Sequence, residues 1–393
     1  MARISLPGAP LLLGSGLFNF ASGCYTIVLG QSLFHSTGSV AVFTAVVTIE
    51  YIGPILLAAI AGTLSDRINS ALLCMWASFL AAVSVAAYIA APHHFPLAGL
   101  ALGIAMNILR PFYRAGIFAA GPRTVSPIEL PLYNLRWTVS VQGGQIIGGA
   151  IGAAALAYAG ELVAFGIASV AFALAAASLW VAKSRIRSHT PPSENSQARW
   201  RDILRDFAQW PKVFALLLVG ADFVTISAFT VALAPLVAQV FTSPFWLGIL
   251  DALFAGGALL VTFIGKKALT RTTSLRRSIS LGYAIQILGL ATLAATLAPH
   301  IPAPFFACLG SVILGAGMAL SSSQQVSFLQ SNVKDSVIGK VGALRQAVIG
   351  VTTAAVLPVI GFVIELSVAA AYLSVAGFFG VCLAINTLLA RRQ

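Results

Sequence analysis

The sequence predicts an all-α integral membrane protein of about twelve spanning helices. Hydrophobic residues make up 59% of the 393 positions, charged residues only 9%, and the mean hydropathy is +0.93. Soluble globular proteins do not have this composition. Each span needs about 20 apolar residues, so a chain of this length holds roughly twelve when its loops are short. Because backbone polar groups find no water in hydrocarbon, the spans must be helices.

Breaks at Pro, Gly, His and clustered charges separate twelve apolar segments. Their lengths suit a bilayer, and the loops between them are mostly short. We place the spans near residues 9–33, 39–61, 71–91, 96–118, 132–158, 162–183, 212–238, 244–265, 278–298, 304–324, 341–362 and 368–389.

The positive charges predict the orientation of these spans. With the N-terminus inside, none of the six outer loops contains Lys or Arg; these loops are 34–38, 92–95, 159–161, 239–243, 299–303 and 363–367. Cytoplasmic loops of membrane proteins carry the excess of basic residues. The net charge of +12 therefore indicates cytoplasmic N- and C-termini and contact with anionic lipids, not with nucleic acid. We expect a multi-pass protein of a bacterial inner (plasma) membrane.

The cysteines predict neither disulfides nor a metal site. Cys24, Cys74, Cys308 and Cys382 all fall within predicted spans, where they are expected to be small buried hydrophobic residues. We expect no cofactor.

A polar segment from Lys183 to Lys212 divides the chain. The expected parts are two six-helix halves and a cytoplasmic loop between them, at 1–188, 210–393 and 189–209. Within the loop, helical spacing places apolar residues on one side, which predicts a short helix on the cytoplasmic membrane face; these residues are Trp200, Ile203, Leu204 and Phe207.

The two halves resemble each other as repeats. At an offset of 209 positions, Leu135-Arg136 matches Leu344-Arg345, and Gly152 matches Gly361. Parallel six-helix repeats are the architecture in which one site is exposed alternately to the two sides of a membrane. The repeats therefore favour a secondary transporter with a small-molecule substrate.

Two motifs resemble signatures of the major facilitator transporters. Gly62, Leu64, Asp66 and Arg67 follow the order of the family's loop signature, although Ile68-Asn69-Ser70 replaces its usual Gly-Arg-Lys continuation. In the fifth span the glycines resemble the antiporter signature, with Gly149 where Pro is usual; they are Gly144, Gly148 and Gly152. The resemblance implies the major facilitator fold, and a gating role for these glycines and for Gly62, Asp66 and Arg67.

The chain is also similar to the subgroup that includes enterobactin exporters and related efflux proteins. The clearest stretches are 229–256 and 326–345. This similarity implies efflux of a siderophore, drug or metabolite. The glycines of the fifth span have an alternative interpretation, because a stripe without side chains lets another helix pack closely. Arg345, which we also assign to the gate, has an alternative as a helix-end anchor.

Carboxylates inside spans are the candidates for proton coupling. Each charge costs at least about 2.5 kcal/mol at the bilayer centre, so an intramembrane carboxylate is a functional hypothesis. Glu50, Asp222 and Asp251 occupy such positions. For Glu50 the alternative is a structural ion pair, and for Asp251 it is solvation near the outer interface.

Polar residues in four spans are candidates for substrate binding. Asn107, Arg110 and Arg114 share one face of the fourth span. If these arginines converge with Arg136, they suit carboxylate groups on an anionic substrate. Asn19 and Gln142 complete the candidates. The alternatives are snorkelling for Arg114, an interface anchor for Arg136 and interhelical hydrogen bonds for Asn19.

The remaining expectations concern the energy source of transport and the class of protein to which the chain belongs. Because no P-loop occurs, coupling to an ion gradient, most simply protons, is expected. An importer or facilitator of a small organic anion is the alternative, and a membrane-embedded enzyme a distant one. We expect a monomer that is not an enzyme. The polar stretch from Ser321 to Gln325 predicts the cytoplasmic mouth.

Overall fold

A computed structural model describes residues 8–37, 40–90, 96–184, 186, 200–207, 212–241, 245–269 and 275–391. In these ranges all regular structure is helical. The helices are α1 (Ala9–Thr37), α2 (Val40–Arg67), α3 (Ser70–Ala90), α4 (Pro96–Thr124), α5 (Leu130–Ala159), α6 (Glu161–Lys183), α7 (Trp200–Phe207), α8 (Lys212–Val240), α9 (Phe245–Leu269), α10 (Leu275–Ala295), α11 (Ala303–Ser331), α12 (Ile338–Leu366) and α13 (Val368–Arg391), with a 3-10 turn at Asp335–Val337.

The helices confirm the predicted all-helical membrane fold. Within the described ranges, nine are long and apolar enough to cross a bilayer. Several continue past the ends predicted from hydropathy; α4 runs to Thr124 and α11 to Ser331. Hydropathy marks where hydrocarbon begins, whereas backbone hydrogen bonding continues a helix beyond that boundary.

The chain forms two compact units. The first comprises Met1–Tyr133, Ser140–Ala208 and Gln330–Gly350, and the second comprises Asn134–Val139, Gln209–Leu329 and Val351–Gln393. Helix α12 therefore begins in the first unit and ends in the second, whereas α5 begins and ends in the first unit and contributes Asn134–Val139 to the second. The predicted inter-half loop is described only at its residues 200–207.

Close contact between α1 and α5 organises part of the first unit. A Cβ atom added to Gly148 would overlap the carbonyl group of Phe20, and one added to Gly152 would lie 2.8 Å from the Cα of Cys24. On the opposite face of α1, Phe18 stacks on Tyr113 with ring centroids 3.6 Å apart. The glycine stripe of α5 thus packs against backbone, as small residues do between membrane helices.

A large apolar core organises the second unit. Its buried side chains come from α8 to α13, and Phe229 stacks on Phe254 with centroids 4.9 Å apart. Glycines again allow two helices to touch, since a Cβ on Gly257 would overlap the carbonyl of Val312 and one on Gly315 would overlap that of Phe254.

The α1–α5 contact predicts a specific cost for one added methyl group. Gly148→Ala should destabilise the protein by about 1–3 kcal/mol, because its Cβ forces two helix backbones apart. Gly143→Ala is the matched control on the same helix, since nothing lies within 4 Å of the position of its Cβ. Thermal melts in detergent measure the difference. Equal melting temperatures for the two variants would contradict this packing.

Candidate functional site

The carboxylate of Asp66 binds the first residues of α12. It lies at the end of α2 and accepts hydrogen bonds from the backbone N–H groups of Gly339 at 2.6 Å and Lys340 at 3.1 Å. The first N–H groups of a helix have no partner within the helix and carry the positive end of its dipole. A Cβ on Gly339 would lie 2.6 Å from the Cβ of Ser65, so glycine is required for this approach.

The guanidinium of Arg123 joins the same carboxylate to the turn before α12. Its Nη2 lies 3.6 Å from Asp66 Oδ1, and its Nε donates to Asp335 Oδ1 at 2.8 Å. Nη2 also donates to the carbonyl of Asp335 at 2.8 Å, and Nη1 donates to the carbonyl of Ser65 at 3.1 Å and to the hydroxyl of Ser70. We call this group the latch: Ser65, Asp66, Ser70, Arg123, Asp335, Gly339 and Lys340.

The latch holds a buried acid whose protonation is finely balanced. Burial raises the pKa of Asp66 from 3.8 to about 6, although the two backbone N–H groups and the charges of Arg123 and Lys340 each lower it. Desolvation disfavours the ionised form, whereas donors and cations favour it. Asp66 therefore changes charge within the pH range of a living cell.

Trp200 packs beside the latch. Its Nε1 donates to the carbonyl of Ala59 and to the hydroxyl of Thr63, both at 3.2 Å. The ring packs against a buried cluster of small residues formed by Ala61, Ala115 and Ala343. A Cβ on Gly62 would be 3.1 Å from this ring and 2.7 Å from the Cα of Lys340, so the glycine allows both contacts.

The expected location of α7 on the membrane face is wrong for most of its apolar side. Ile203 and Phe207 are buried in the protein, and Trp200 is hydrogen-bonded to α2, whereas Leu204 is 50% exposed. Helical spacing identified the apolar side correctly. It does not distinguish a lipid partner from a protein partner, because both are apolar.

The predicted gating residues differ in their surroundings. Asp66 and Gly62 lie in or beside the latch, Arg345 is buried on α12, and Arg67 is exposed. Sequence reasoning missed Arg123 and Asp335 as members of the latch. The usable signal was a basic residue at the end of α4 and an acid just before the stretch Ile338–Val341, but these positions are 212 residues apart.

Arg110 is held in the first unit by α1. Its Nη2 donates to the hydroxyl of Thr26 at 3.2 Å, and its guanidinium lies 5.7 Å from the centre of the Tyr25 ring. Asn107 is buried one turn away, and Arg114 donates from Nη1 to Gln346 Oε1 at 3.4 Å. Arg110 is thus a buried cation that contacts Tyr25 and Thr26 of α1.

The other predicted substrate and coupling residues are dispersed. Asn19 donates to the carbonyl of Ser15 in its own helix at 2.8 Å. Gln142 is half-buried in the first unit, and Arg136 is half-buried in the second. Asp251 is half-buried on α9. Glu50 belongs to α2, but its side chain lies outside the part of the chain that the structure describes.

Asp222 is the most completely buried acid of the described residues, at 0% exposure. Its Oδ1 accepts hydrogen bonds from Gln286 Nε2 at 2.9 Å and from the hydroxyl of Ser321 at 2.8 Å. Both partners are neutral and fully buried, and Gln286 also donates to Ser321 at 2.8 Å. A carboxyl group in such surroundings is bound by groups that serve either of its protonation states, since amides and hydroxyls both donate and accept.

The polar stretch of α11, which the sequence analysis assigned to the cytoplasmic mouth, is buried within the protein. Every residue from Ser321 to Gln325 is buried. Its partners lie within the second unit: Ser321 binds Asp222, and Gln325 Nε2 donates to the hydroxyl of Tyr283 at 2.6 Å. Buried polar groups are tolerated when hydrogen-bonded, and composition alone does not reveal such partners.

The described residues contain no group of three or more His, Cys, Asp or Glu side chains able to hold a metal ion. The buried chemistry of this chain therefore rests on isolated acids, arginines and neutral polar groups.

Comparisons with known proteins agree on one family and one fold. The sequence pattern of the Major Facilitator Superfamily matches residues 11–354. No curated protein matches the sequence.

Similar solved structures include the human organic anion transporter MFSD10 (TETRAN), with a TM-score of 0.77 and 16% identity over 96% of this chain and 98% of that one. A bacterial homologue of the iron transporter ferroportin has a TM-score of 0.75 and 18% identity, over 97% and 99%. The fucose:proton symporter FucP of E. coli has a TM-score of 0.76 and 14% identity, over 98% and 98%. At these identities the similarity shows the fold alone.

The raised pKa of Asp66 predicts a pH dependence with a definite sign. Its stabilising contribution is fully present below 3.8 and is lost as the pH rises through about 6. Lowering the pH from about 7.5 to about 4 should therefore stabilise the wild type relative to Asp66→Asn by on the order of 2 kcal/mol. Thermal melts of the wild type and of Asp66→Asn across this pH range measure the change. The titrations of all other groups are common to both proteins and cancel in the difference between them. A difference that stays constant with pH would refute the assignment.

Proposed function

The chain belongs to the Major Facilitator Superfamily and is a transporter, and we propose that it exports a small organic molecule in exchange for inward-moving protons. The observation that carries the proposal is Asp222, a fully buried acid bound by the neutral donors Gln286 and Ser321. Such partners can hold a carboxyl group in either protonation state, as proton exchange requires. Glu50 and Asp251 are proposed as further proton-coupling residues on the basis of their intramembrane positions.

We propose that twelve helices cross a bacterial inner membrane, with both termini cytoplasmic. The halves 1–188 and 210–393 move as the repeats of a monomer, so that one site is exposed alternately to the two sides. Loops without basic residues on one predicted side support this orientation.

The latch is proposed as the cytoplasmic gate. Asp66 accepts two N–H groups at the start of α12, and each charge-assisted hydrogen bond is stronger than a neutral one. Such contacts form and break as units, because the donors of a helix N-terminus are fixed to one another. Arg67 and Arg345 are proposed to act in the same gate. Gly144, Gly148 and Gly152 are proposed to let α1 and α5 slide without separating.

We propose an anionic substrate, such as a carboxylate-bearing siderophore or metabolite. Arg110 supports this class, because it is a buried cation within a predicted span, and its planar guanidinium suits a carboxylate group. Asn107 and Arg114 lie on the same helix face, and Arg136, Asn19 and Gln142 are proposed as further contacts. The similarity in fold to an organic anion transporter is consistent with this class.

Import or facilitated diffusion of a small organic anion is the second candidate. Arg110 favours it equally, since a cation selects the charge of the solute and not the direction of its movement. Substrate-driven proton movement separates the candidates, because an exchanger moves protons against the solute, a proton-coupled importer moves them with it, and a facilitator moves none.

Proton flux in proteoliposomes tests the coupling role of Asp222. The liposomes are loaded in turn with anionic siderophores, monocarboxylates and cationic dyes. We expect one of these classes of solute to drive proton movement. Asp222→Asn should reduce this flux to the leak of protein-free liposomes, because an amide, unlike a carboxylate, does not take up a proton. Glu50→Gln should reduce the flux as well. Asp202→Asn, at an exposed acid on α7, is the control and should retain the flux. Wild-type flux in both Asp222→Asn and Glu50→Gln would sink the proposal.

Arg110 should determine the charge of the accepted solute. Arg110→Gln is expected to raise the KM for the anionic solute by roughly 10- to 100-fold, since one lost charge-assisted contact is worth about 1.5–3 kcal/mol. Arg110→Lys should recover part of the affinity, because it keeps the charge but loses the planar fork. Arg205→Gln, at an exposed position of α7, is the control. Unchanged KM in Arg110→Gln would exclude an anion site at this residue.

A further inference from the structure

Three helices of the second unit build two polar layers, one above the other. The first layer contains Asp222 of α8, Gln286 of α10 and Ser321 of α11, joined by hydrogen bonds of 2.8 to 2.9 Å. The second contains residues of the same three helices, each one turn along. It consists of Leu218, Tyr283 and Gln325. The Tyr283 hydroxyl donates to the Leu218 carbonyl at 3.2 Å and accepts a hydrogen bond from Gln325 Nε2 at 2.6 Å.

The displacement between the layers has one direction. Leu218 precedes Asp222 on α8, and Tyr283 precedes Gln286 on α10. Gln325 follows Ser321 on α11, which runs in the opposite direction under the predicted topology. All three steps therefore lead toward the predicted cytoplasmic side. One helical turn rises about 5.4 Å, and the charge of Asp222 acts on the Tyr283 hydroxyl.

A third polar level continues in the same direction. Asn386 of α13 donates to the hydroxyl of Ser280 at 2.8 Å and to the carbonyl of Arg276 at 3.2 Å. Ser280 lies three residues before Tyr283 and is half-buried. The three polar levels thus extend from the fully buried Asp222 to side chains near the beginning of α10.

The opposite direction is mainly apolar. Phe229, Leu290 and Leu314 are buried beyond Asp222 in the apolar core of the second unit. Thr225 is a polar exception, and its hydroxyl makes no hydrogen bond within the described residues. A proton moves along groups that both donate and accept hydrogen bonds, and such groups are concentrated on one side of Asp222.

We propose that Tyr283 is the relay through which Asp222 exchanges its proton with the cytoplasmic side, with Gln325 holding the hydroxyl in place. This inference rests on the proposed function and adds the route and the side of proton release. Among the described residues, Cys382 of α13 is a further titratable group that interacts with Asp222.

The relay conserves protons at every step. When Asp222 gains a proton, the Tyr283 hydroxyl turns from the Leu218 carbonyl, to which it donates in this structure, and gives its proton to the carboxylate through one bridging water. Its oxygen then binds a second proton, which cytoplasmic water supplies. The phenol is neutral before and after, and one O–H bond forms on the carboxylate. Release runs through the same steps in reverse. A water-mediated link of this kind spans separations greater than a direct hydrogen bond.

Time-resolved infrared spectroscopy tests the relay without knowledge of the substrate. The full chain in lipid nanodiscs receives a pH step from photolysis of a caged proton, and the carboxylic acid band of Asp222 is identified by its absence in Asp222→Asn. Tyr283→Phe should slow the appearance of this band by about a hundredfold, the low end of the contribution of a positioned proton-transferring group, and leave its final amplitude unchanged. Gln325→Met should slow it by a smaller factor.

Tyr372→Phe is the matched control, because Tyr372 is an equally buried tyrosine of the same unit whose hydroxyl has no hydrogen-bond partner among the described residues. Its kinetics should equal those of the wild type. Equal kinetics in Tyr283→Phe and Tyr372→Phe, with an intact band, would overturn the relay and leave the proton site standing. Absence of any Asp222-dependent band would overturn the proposed proton coupling itself.

Discussion

A polar group in hydrocarbon must find its partner inside the protein, and the structure of this chain follows from that constraint. The backbone meets it by forming helices, and helices pack closely where glycine removes the side chain, as at Gly148 against α1. The few buried polar side chains must then meet one another. Asp222 does so with Gln286 and Ser321.

Burial within the protein imposes a similar demand on the latch, and backbone groups meet part of it. At the beginning of α12 the first N–H groups have no partner in their own helix, and Asp66 supplies one without adding a second charged side chain. Arg123 partly balances the acid. Burial nevertheless keeps the pKa of Asp66 near 6. The contact therefore combines charge-assisted hydrogen bonds with an acid that titrates at a pH close to neutral.

Hydropathy predicted the helices within a few residues, since the bilayer imposes a local requirement of length and composition. The position of Asp66 followed from a local motif. Its partner Arg123 did not, because the contacts of the latch join positions far apart in the sequence. The burial of the stretch from Ser321 to Gln325 did not follow from its composition, because its polar groups are satisfied by other helices. Sequence patterns thus reveal local constraints and miss pairings that only folding creates.

The most direct test of the central claim is the distance across the latch in the membrane-embedded protein. Spin labels at Leu64→Cys and Lys334→Cys, both exposed positions, would be measured by pulsed electron paramagnetic resonance, with the half-buried Cys308 replaced by Ser. We expect a short and a long distance population, with Asp66→Asn and Arg123→Gln shifting the balance toward the long one. A single short distance that neither substitution changes would contradict a latch that opens during transport.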